Sequence, residues 1–479
     1  MKQKNIVFAA LVFLAILQLA LFLALSNSRP FFDEGIYLTG GWLFSKGTLP
    51  YSGFFESKPI GIFAVGAFLF SVSTSLLAAR VFMALAAVAS MALVFLIAKK
   101  ALNEKAGLVS ASFFVFAGLV FGNFWFLIEP IVALLALVSV YCYMNYSESR
   151  KAKWLATAVL SVSLAVWFKQ TAILIAALFL VFFLYNEIRL QKKPSKALLS
   201  FIESLAPAIL VYAMVFAFLL LSGSFHYFWQ YLFGFHSQNL SYYAQFVLSF
   251  KYLPVLAAIA LPFLLLIALL AKKTIIDAKQ AQLFFLLLLW LVGSTAMLLP
   301  LLGCCMHFIP MLPVFAIFSG IAFSEFWKKG FLPKAVSLLV LIAIIFGGLF
   351  YAYQYSNPEN SFNDLNSIAA KIRSASSPNE KILVLPATPE LYFLGGREPA
   401  TKALYFEFIG YPADFLLEEI QRLSNSPPKI VIVFSADGLF AGNGEIPDFV
   451  KQNYSEKEKI ALQAPLYGTY YYALWLEKK

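Results

Sequence analysis

FFDEGIYLTGGWLFSKGTLPY, residues 31–51, and FFESKPIGIFAVGAFLF, residues 54–70, lie between two apolar runs near 5–27 and 78–98. The connection they fill, about residues 28–77, is long. Loops of that length usually have a function or are disordered. This one is too aromatic for disorder, so interfacial helices lying on the membrane surface are expected in it. It carries three carboxylates, Asp33, Glu34 and Glu56, with Lys46 and Lys58. A second long connection of the same texture runs from about 222 to 252, with His226 and His236 among aromatic residues. Those two histidines read as interfacial residues.

The runs that flank these connections set the class. Of 479 residues, 61% are apolar and 13% charged, against roughly 45–50% and 25% in a soluble domain. Segments long enough to cross a bilayer as helix lie near 5–27, 78–98, 106–123, 129–146, 154–168, 171–186, 199–221, 253–271, 282–302, 307–325 and 335–353. Lys169-Gln170 divides what could otherwise pass as one run over 154–186. The first segment has a basic start but no small-residue cleavage site after it, so it reads as a retained helix. The expectation is a multi-pass α-helical membrane protein of about eleven spans.

The formal charge of +11 does not form a nucleic-acid patch, because the basic residues fall in short clusters between apolar runs. With the N-terminus inside, eighteen Lys and Arg fall at inner ends and six at outer ends. That bias fixes the expected orientation and places the C-terminus outside the cell membrane. Three Cys, Cys142, Cys304 and Cys305, offer neither a disulfide framework nor zinc spacing.

After about residue 354 the charge density rises. NPENSFNDLNS reads as a polar linker, KILVLP and KIVIVF as short buried strands, and YYALWLEK as a third strand. YPADFLLEEIQRLSNSPP reads as an amphipathic helix with a Pro stop. The expected division is a membrane domain, 1–353, and a small extracytoplasmic α/β domain, 354–479.

The membrane part holds ten acids. Six fall at inner ends beside Lys or Arg, where solvated pairing explains them. The other four are Asp33, Glu34, Glu56 and Glu129. Glu129 opens a helix at FWFLIEPIVALL, with Pro130 at a first-turn position. Lys58, Arg80, Lys169 and His307 belong to the same depth. Ionisable groups at membrane depth are costly and mark function by default. A carboxylate base facing cations suits group transfer from a lipid phosphate. The competing explanation is helix capping and snorkelling.

These residues resemble the GT-C glycosyltransferases, in the branch of protein O-mannosyltransferases and the lipid A aminoarabinose transferase. The likeness rests on Asp33-Glu34, Tyr37, Gly47 to Tyr51, Lys58-Pro59 and Ala79-Arg80. It continues in IEP at 128–130, WFKQTAIL, MHFIPMLPVFAIFSG and PELYFLGGREPA, in that order along most of the chain. The third motif departs from the pattern: it is Lys-Pro-Ile, and Glu56 stands two residues before Lys58.

The resemblance implies transfer of a monosaccharide from a polyprenyl- or dolichyl-phosphate donor to a protein, lipid or glycan acceptor, by a single inverting displacement. It makes Asp33 the base, with Glu34 orienting it. Lys58, Arg80, Lys169 and His307 would hold the donor phosphate. Tyr37, Glu56 and Glu129 would hold sugar or acceptor. No cofactor is required by the resemblance; a divalent cation stays open, with Glu129 as its candidate ligand. A membrane transporter of a lipid-linked or polar solute is the rival, but no paired half-repeat is visible. A non-catalytic scaffold leaves the acidic loop unexplained.

Overall fold

The computed structural model describes residues 2–73, 75–191, 193–234, 278–298, 305–328, 330–357, 363–386, 388–406, 411–438, 444–466 and 470–479. Helices α1 (Lys2–Ala24), α4 (Leu76–Ala101), α5 (Glu104–Val120), α6 (Ile128–Ser149), α7 (Ala152–Ala165), α8 (Ile173–Leu190) and α9 (Pro194–Leu221) follow the apolar runs. So do α11 (Ala278–Leu298), α12 (Leu312–Phe326) and α13 (Phe331–Ser356). The expected span near 253–271 and His236 lie outside the described residues. Among those described, seven helices are long and apolar enough to cross a membrane. Exposed Leu, Ile and Phe on α9 and α13 suit a surface solvated by lipid.

Caps set the helix ends. Ser75 Oγ accepts the Leu77 N–H at the start of α4, and Asn103 Oδ1 accepts that of Ala106 at the start of α5. Lys169 and Gln170 do mark a break: α7 ends at Ala165 and a 3₁₀ turn, Gln170–Ala172, leads into α8. At the other end of the bundle the acids pair with bases as expected: Lys99–Glu104, Lys100–Glu148, Arg150–Glu187 and Lys328–Glu325.

The first long connection contains α2 (Phe32–Ser45) and α3 (Gly61–Val72). The two helices differ in burial: α3 keeps Phe68 and Val72 exposed, whereas α2 is enclosed. Ten consecutive residues of α2, Glu34 to Leu43, are buried. A Cβ on Gly41 would stand 2.7 Å from the Gly66 Cα, so only glycine lets α2 and α3 approach so closely. The second long connection begins with a short helix, α10 (Phe225–Trp229), and continues outside the described residues.

The C-terminal α/β unit carries a sheet of four strands, β1 (Ile382–Leu385), β2 (Ile430–Ser435), β3 (Tyr454–Leu466) and β4 (Tyr470–Lys478). Their order is β1-β2-β4-β3; β1 and β2 run parallel and the other pairs antiparallel. The three expected strands and the amphipathic helix, α16 (Ala413–Asn425), are present. Helix α14 (Asn363–Ala375) begins inside the stretch read as a linker, and a short helix, α15 (Glu390–Gly395), follows β1. Helix α17 (Glu445–Asn453) precedes β3.

This unit packs directly on α2. Thr39 donates to the Pro389 carbonyl at 2.7 Å, Phe70 meets Phe393 edge-on, and Phe32 meets Tyr405.

Candidate active site

Asp33, Glu34 and Tyr37 share the first turns of α2, where carboxylates favour the helix dipole. Their side chains part company. Glu34 is fully buried and fully engaged: Oε2 meets the Arg80 guanidinium at 2.7 Å and accepts from the Phe31 N–H, while Oε1 accepts from the Phe126 N–H at 2.9 Å. Arg80 is 1% exposed and donates also to the Leu25 carbonyl and to both oxygens of Ser28. It therefore ties the turn after α1 to α2 and α4, and its Nε is buried with no partner among the described residues. Asp33, about 100° round the helix, keeps partial exposure, and Tyr37 follows it one turn later.

The loop after α2 is shaped by Tyr51. Its backbone is left-handed, with φ 70°, a strained state for an aromatic residue. Its hydroxyl donates to the Lys58 carbonyl at 2.9 Å, closing the turn that carries Glu56 and Lys58. Glu56 Oε1 accepts from the Ser57 N–H at 2.7 Å, while Oε2 is buried with no partner among the described residues. Gly61 anchors the far end. Its N–H donates to the Trp167 carbonyl at 2.8 Å, and a Cβ there would come within 2.5 Å of that oxygen. Gln170 Nε2 donates to the Ser57 carbonyl. The loop is thus fastened to the turn that presents Lys169.

Glu129, near the start of α6, gathers Lys169 and His307. Its Oε1 lies 2.7 Å from Lys169 Nζ and 3.0 Å from His307 Nδ1, and those two nitrogens are 3.3 Å apart. His307 comes from a 3₁₀ segment, Cys305–Met311, just before α12. Glu129 Oε2 is buried with no partner among the described residues. The ammonium of Lys169 holds the other oxygen, and no group of three His, Cys, Asp or Glu converges among the described residues.

Asp33 lies within electrostatic range of Lys58, Glu129, His307 and Lys169, and Glu56 within range of Lys58 and Asp33. Seven of the nine residues singled out from the sequence therefore share one site: Asp33, Tyr37, Glu56, Lys58, Glu129, Lys169 and His307. Glu34 and Arg80 stand beside it as a closed pair. Burial raises the Asp33 carboxyl above its usual range, opposed mainly by Lys58. Burial likewise pushes Glu56 up from 4.5 to about 7.

The raised value of Glu56 has a signed consequence for stability. Below pH 4.5 both folded and unfolded chains hold the proton and nothing is lost. Between 4.5 and about 7 the unfolded chain ionises first, so the folded state loses stability as pH rises, with the full penalty above 7. Each pKa unit is worth about 1.4 kcal/mol, so the penalty reaches about 3 kcal/mol. Glu56→Gln is expected to raise the unfolding temperature in detergent strongly at pH 8 and little at pH 5. An equal gain at both values would show that the carboxyl is not held protonated.

Residues 57–213 match the family model for dolichyl-phosphate-mannose-protein mannosyltransferase. The structure of ArnT from Cupriavidus metallidurans in the apo state aligns with TM-score 0.63 at 13% identity, covering 97% of both chains. The chain has the GT-C fold. The Archaeoglobus fulgidus oligosaccharyltransferase in its apo form shares the GT-C architecture with TM-score 0.61 at 12% identity, over 97% of this chain and 74% of that one. No curated protein matches the chain by sequence.

An apolar groove of about 520 Å³ separates α7, α8 and α9, with Val166 and Ile173 of its lining on either side of Lys169 in the chain. Val166, Ile173, Ala176, Ala208 and Tyr212 line it. Sequence reasoning missed this groove, because its walls are small and apolar like any span. It also missed the part played by the C-terminal unit, whose Lys402 carbonyl accepts the Phe55 N–H at 2.8 Å. That contact is made by backbone, which leaves no side-chain pattern to read.

Proposed function

We propose that this chain is an inverting glycosyltransferase that moves a monosaccharide from a polyprenyl- or dolichyl-phosphate donor to a hydroxyl acceptor at the outer face of the cell membrane. The observation that carries the reading is a partly exposed Asp33 carboxylate facing Lys58, Lys169 and His307 at one end of the bundle. Solved structures of the same fold support the donor class: ArnT was crystallised bound to undecaprenyl phosphate. The Archaeoglobus fulgidus enzyme AglB was solved with an inhibitory peptide and a dolichol-phosphate.

In this mechanism Asp33 takes the proton of the acceptor hydroxyl as its oxygen bonds to the anomeric carbon. The bond from that carbon to the phosphate oxygen breaks in the same step, and the configuration inverts. The lipid phosphate leaves with its electron pair toward Lys58, Lys169 and His307, and no acid is needed to protonate it. Glu129 holds Lys169 and His307 in place through Oε1. The groove between α7, α8 and α9 suits the prenyl chain. Tyr37 and Glu56 border the space left for the sugar. Glu34 and Arg80 keep α2 in position. A transporter would place such groups near mid-span; here they lie at helix ends and in the connecting loops.

The direct test is incubation of the purified protein with radiolabelled polyprenyl-phosphate sugars and cell-surface extracts. Transfer of label supports the proposal; its absence with every donor sinks it. Lys58→Ala is expected to weaken donor binding by about 2–5 kcal/mol, as loss of one partner of a desolvated charge pair does. Unchanged donor affinity in a filter-binding assay would move the phosphate to Lys169 and His307 alone.

A further inference from the structure

We propose that Glu419 is a positioning residue for the Glu56–Lys58 segment, acting through the backbone of Lys402. This inference rests on the glycosyltransferase reading for its kinetic consequence but not for its structural one. Glu419 sits on α16 and is fully buried. Its Oε2 accepts the Lys402 N–H at 2.7 Å. The carbonyl of the same residue accepts the Phe55 N–H at 2.8 Å. Phe55 is followed directly by Glu56 and, three residues on, by Lys58. Two hydrogen bonds in series therefore connect a carboxylate of the C-terminal unit to the loop that bears the phosphate ligand.

The chemistry favours this role over a purely structural one. A buried carboxylate on the packed side of a helix is costly unless its bonds repay it. Arg422, one turn later, approaches Oε1 only at 3.5 Å and is 42% exposed, so its pairing is weak. The strong bond is the one to Lys402. The bond to Glu419 fixes the Lys402 N–H in space, and the backbone dihedrals of the same residue then set where its carbonyl points. The same helix supplies a second hold on the loop. Phe415, one turn before Glu419, packs its ring 5.3 Å from that of Phe55, and Tyr411, just ahead of the helix, packs at 5.1 Å. Aromatic contact fixes where Phe55 sits, and the Lys402 carbonyl fixes the direction of its peptide. Together they set the path along which Glu56 and Lys58 enter the site.

The test uses the full-length protein in detergent, with Glu419→Ala and Glu419→Gln. Gln keeps an acceptor oxygen within reach of the Lys402 N–H, and Ala removes it. Amide hydrogen exchange over residues 51–58 is expected to accelerate about tenfold or more in the Ala variant and to stay near parent in the Gln variant. Exchange across β2 should remain slow in both. In the transfer assay the Ala variant should show a donor KM raised about tenfold, the loss expected for a hydrogen bond to a charged group. Its kcat should be nearly unchanged, with Gln restoring the parent KM.

If exchange over 51–58 does not change in Glu419→Ala, the relay does not exist and the proposal fails. If β2 accelerates as much as the loop, Glu419 merely holds the unit together, and the proposal also fails. If the loop loosens selectively while the parent protein transfers no sugar, the positioning stands and only the glycosyltransferase reading falls.

Discussion

Asp33→Asn is expected to lower sugar transfer by about 10²–10⁴-fold, the usual contribution of general-base catalysis, while donor binding survives. Asn keeps the size and most hydrogen bonds of Asp but cannot take the acceptor proton. The environment supports the effect. Burial lifts the carboxyl above its ordinary range, which brings its basicity closer to the operating pH, and Lys58 limits the lift. Donor binding should hold, because Lys58, Lys169 and His307 are untouched. Both quantities are measured in the same membranes, transfer by label and donor by filter binding. Transfer near the parent rate would remove Asp33 from the chemistry. In that case Glu56, the other acid in the site with a raised carboxyl, becomes the base to test.

Arg80→Ala should cost about 3–5 kcal/mol of stability, because it leaves the Glu34 carboxylate buried without its counter-charge. The pair is 1% and 0% exposed at 2.7 Å, so water cannot replace the lost partner. The guanidinium also holds the carbonyls of Leu25 and Ser28, and these would lose their donor too. Thermal unfolding in detergent reads the loss. A double variant, Arg80→Leu with Glu34→Leu, should recover part of it, since removing both charges ends the penalty. Donor affinity per folded molecule should match the parent in each case. A stable Arg80→Ala protein with weakened donor binding would instead make Arg80 a phosphate ligand, as the motif alone had implied.

Much of this molecule is written in its sequence. Apolar runs bounded by Lys and Arg mark the spans, because a bilayer permits few other ways to satisfy a backbone. The charged cluster was legible for the same reason: carboxylates and cations at membrane depth stand out against Leu and Phe. The division of labour within Asp33-Glu34 was not. Which of two adjacent acids turns toward Arg80 depends on α2 being buried, and the loop had been expected at the surface. Helix α14 was hidden by Asn, Asp and Ser in NPENSFNDLNS, although Leu365, Ile368, Ala369 and Ile372 form a helical stripe that could have revealed it. Strand β3 was missed because YSEKEK is rich in charge; it lies at the sheet edge, where charge discourages stray pairing.

The contact between α2 and the C-terminal unit also bears on biogenesis. Thr39 and the Pro389 carbonyl are 350 residues apart in the chain. A ribosome adding about 5–20 residues per second needs roughly 20–70 s to pass from one to the other. Throughout that interval α2 waits without the surface that encloses it, with its acidic first turn and apolar face uncovered. A nascent chain stalled before residue 389 would therefore be inserted yet incomplete at its working end, and a natural substrate for membrane quality control.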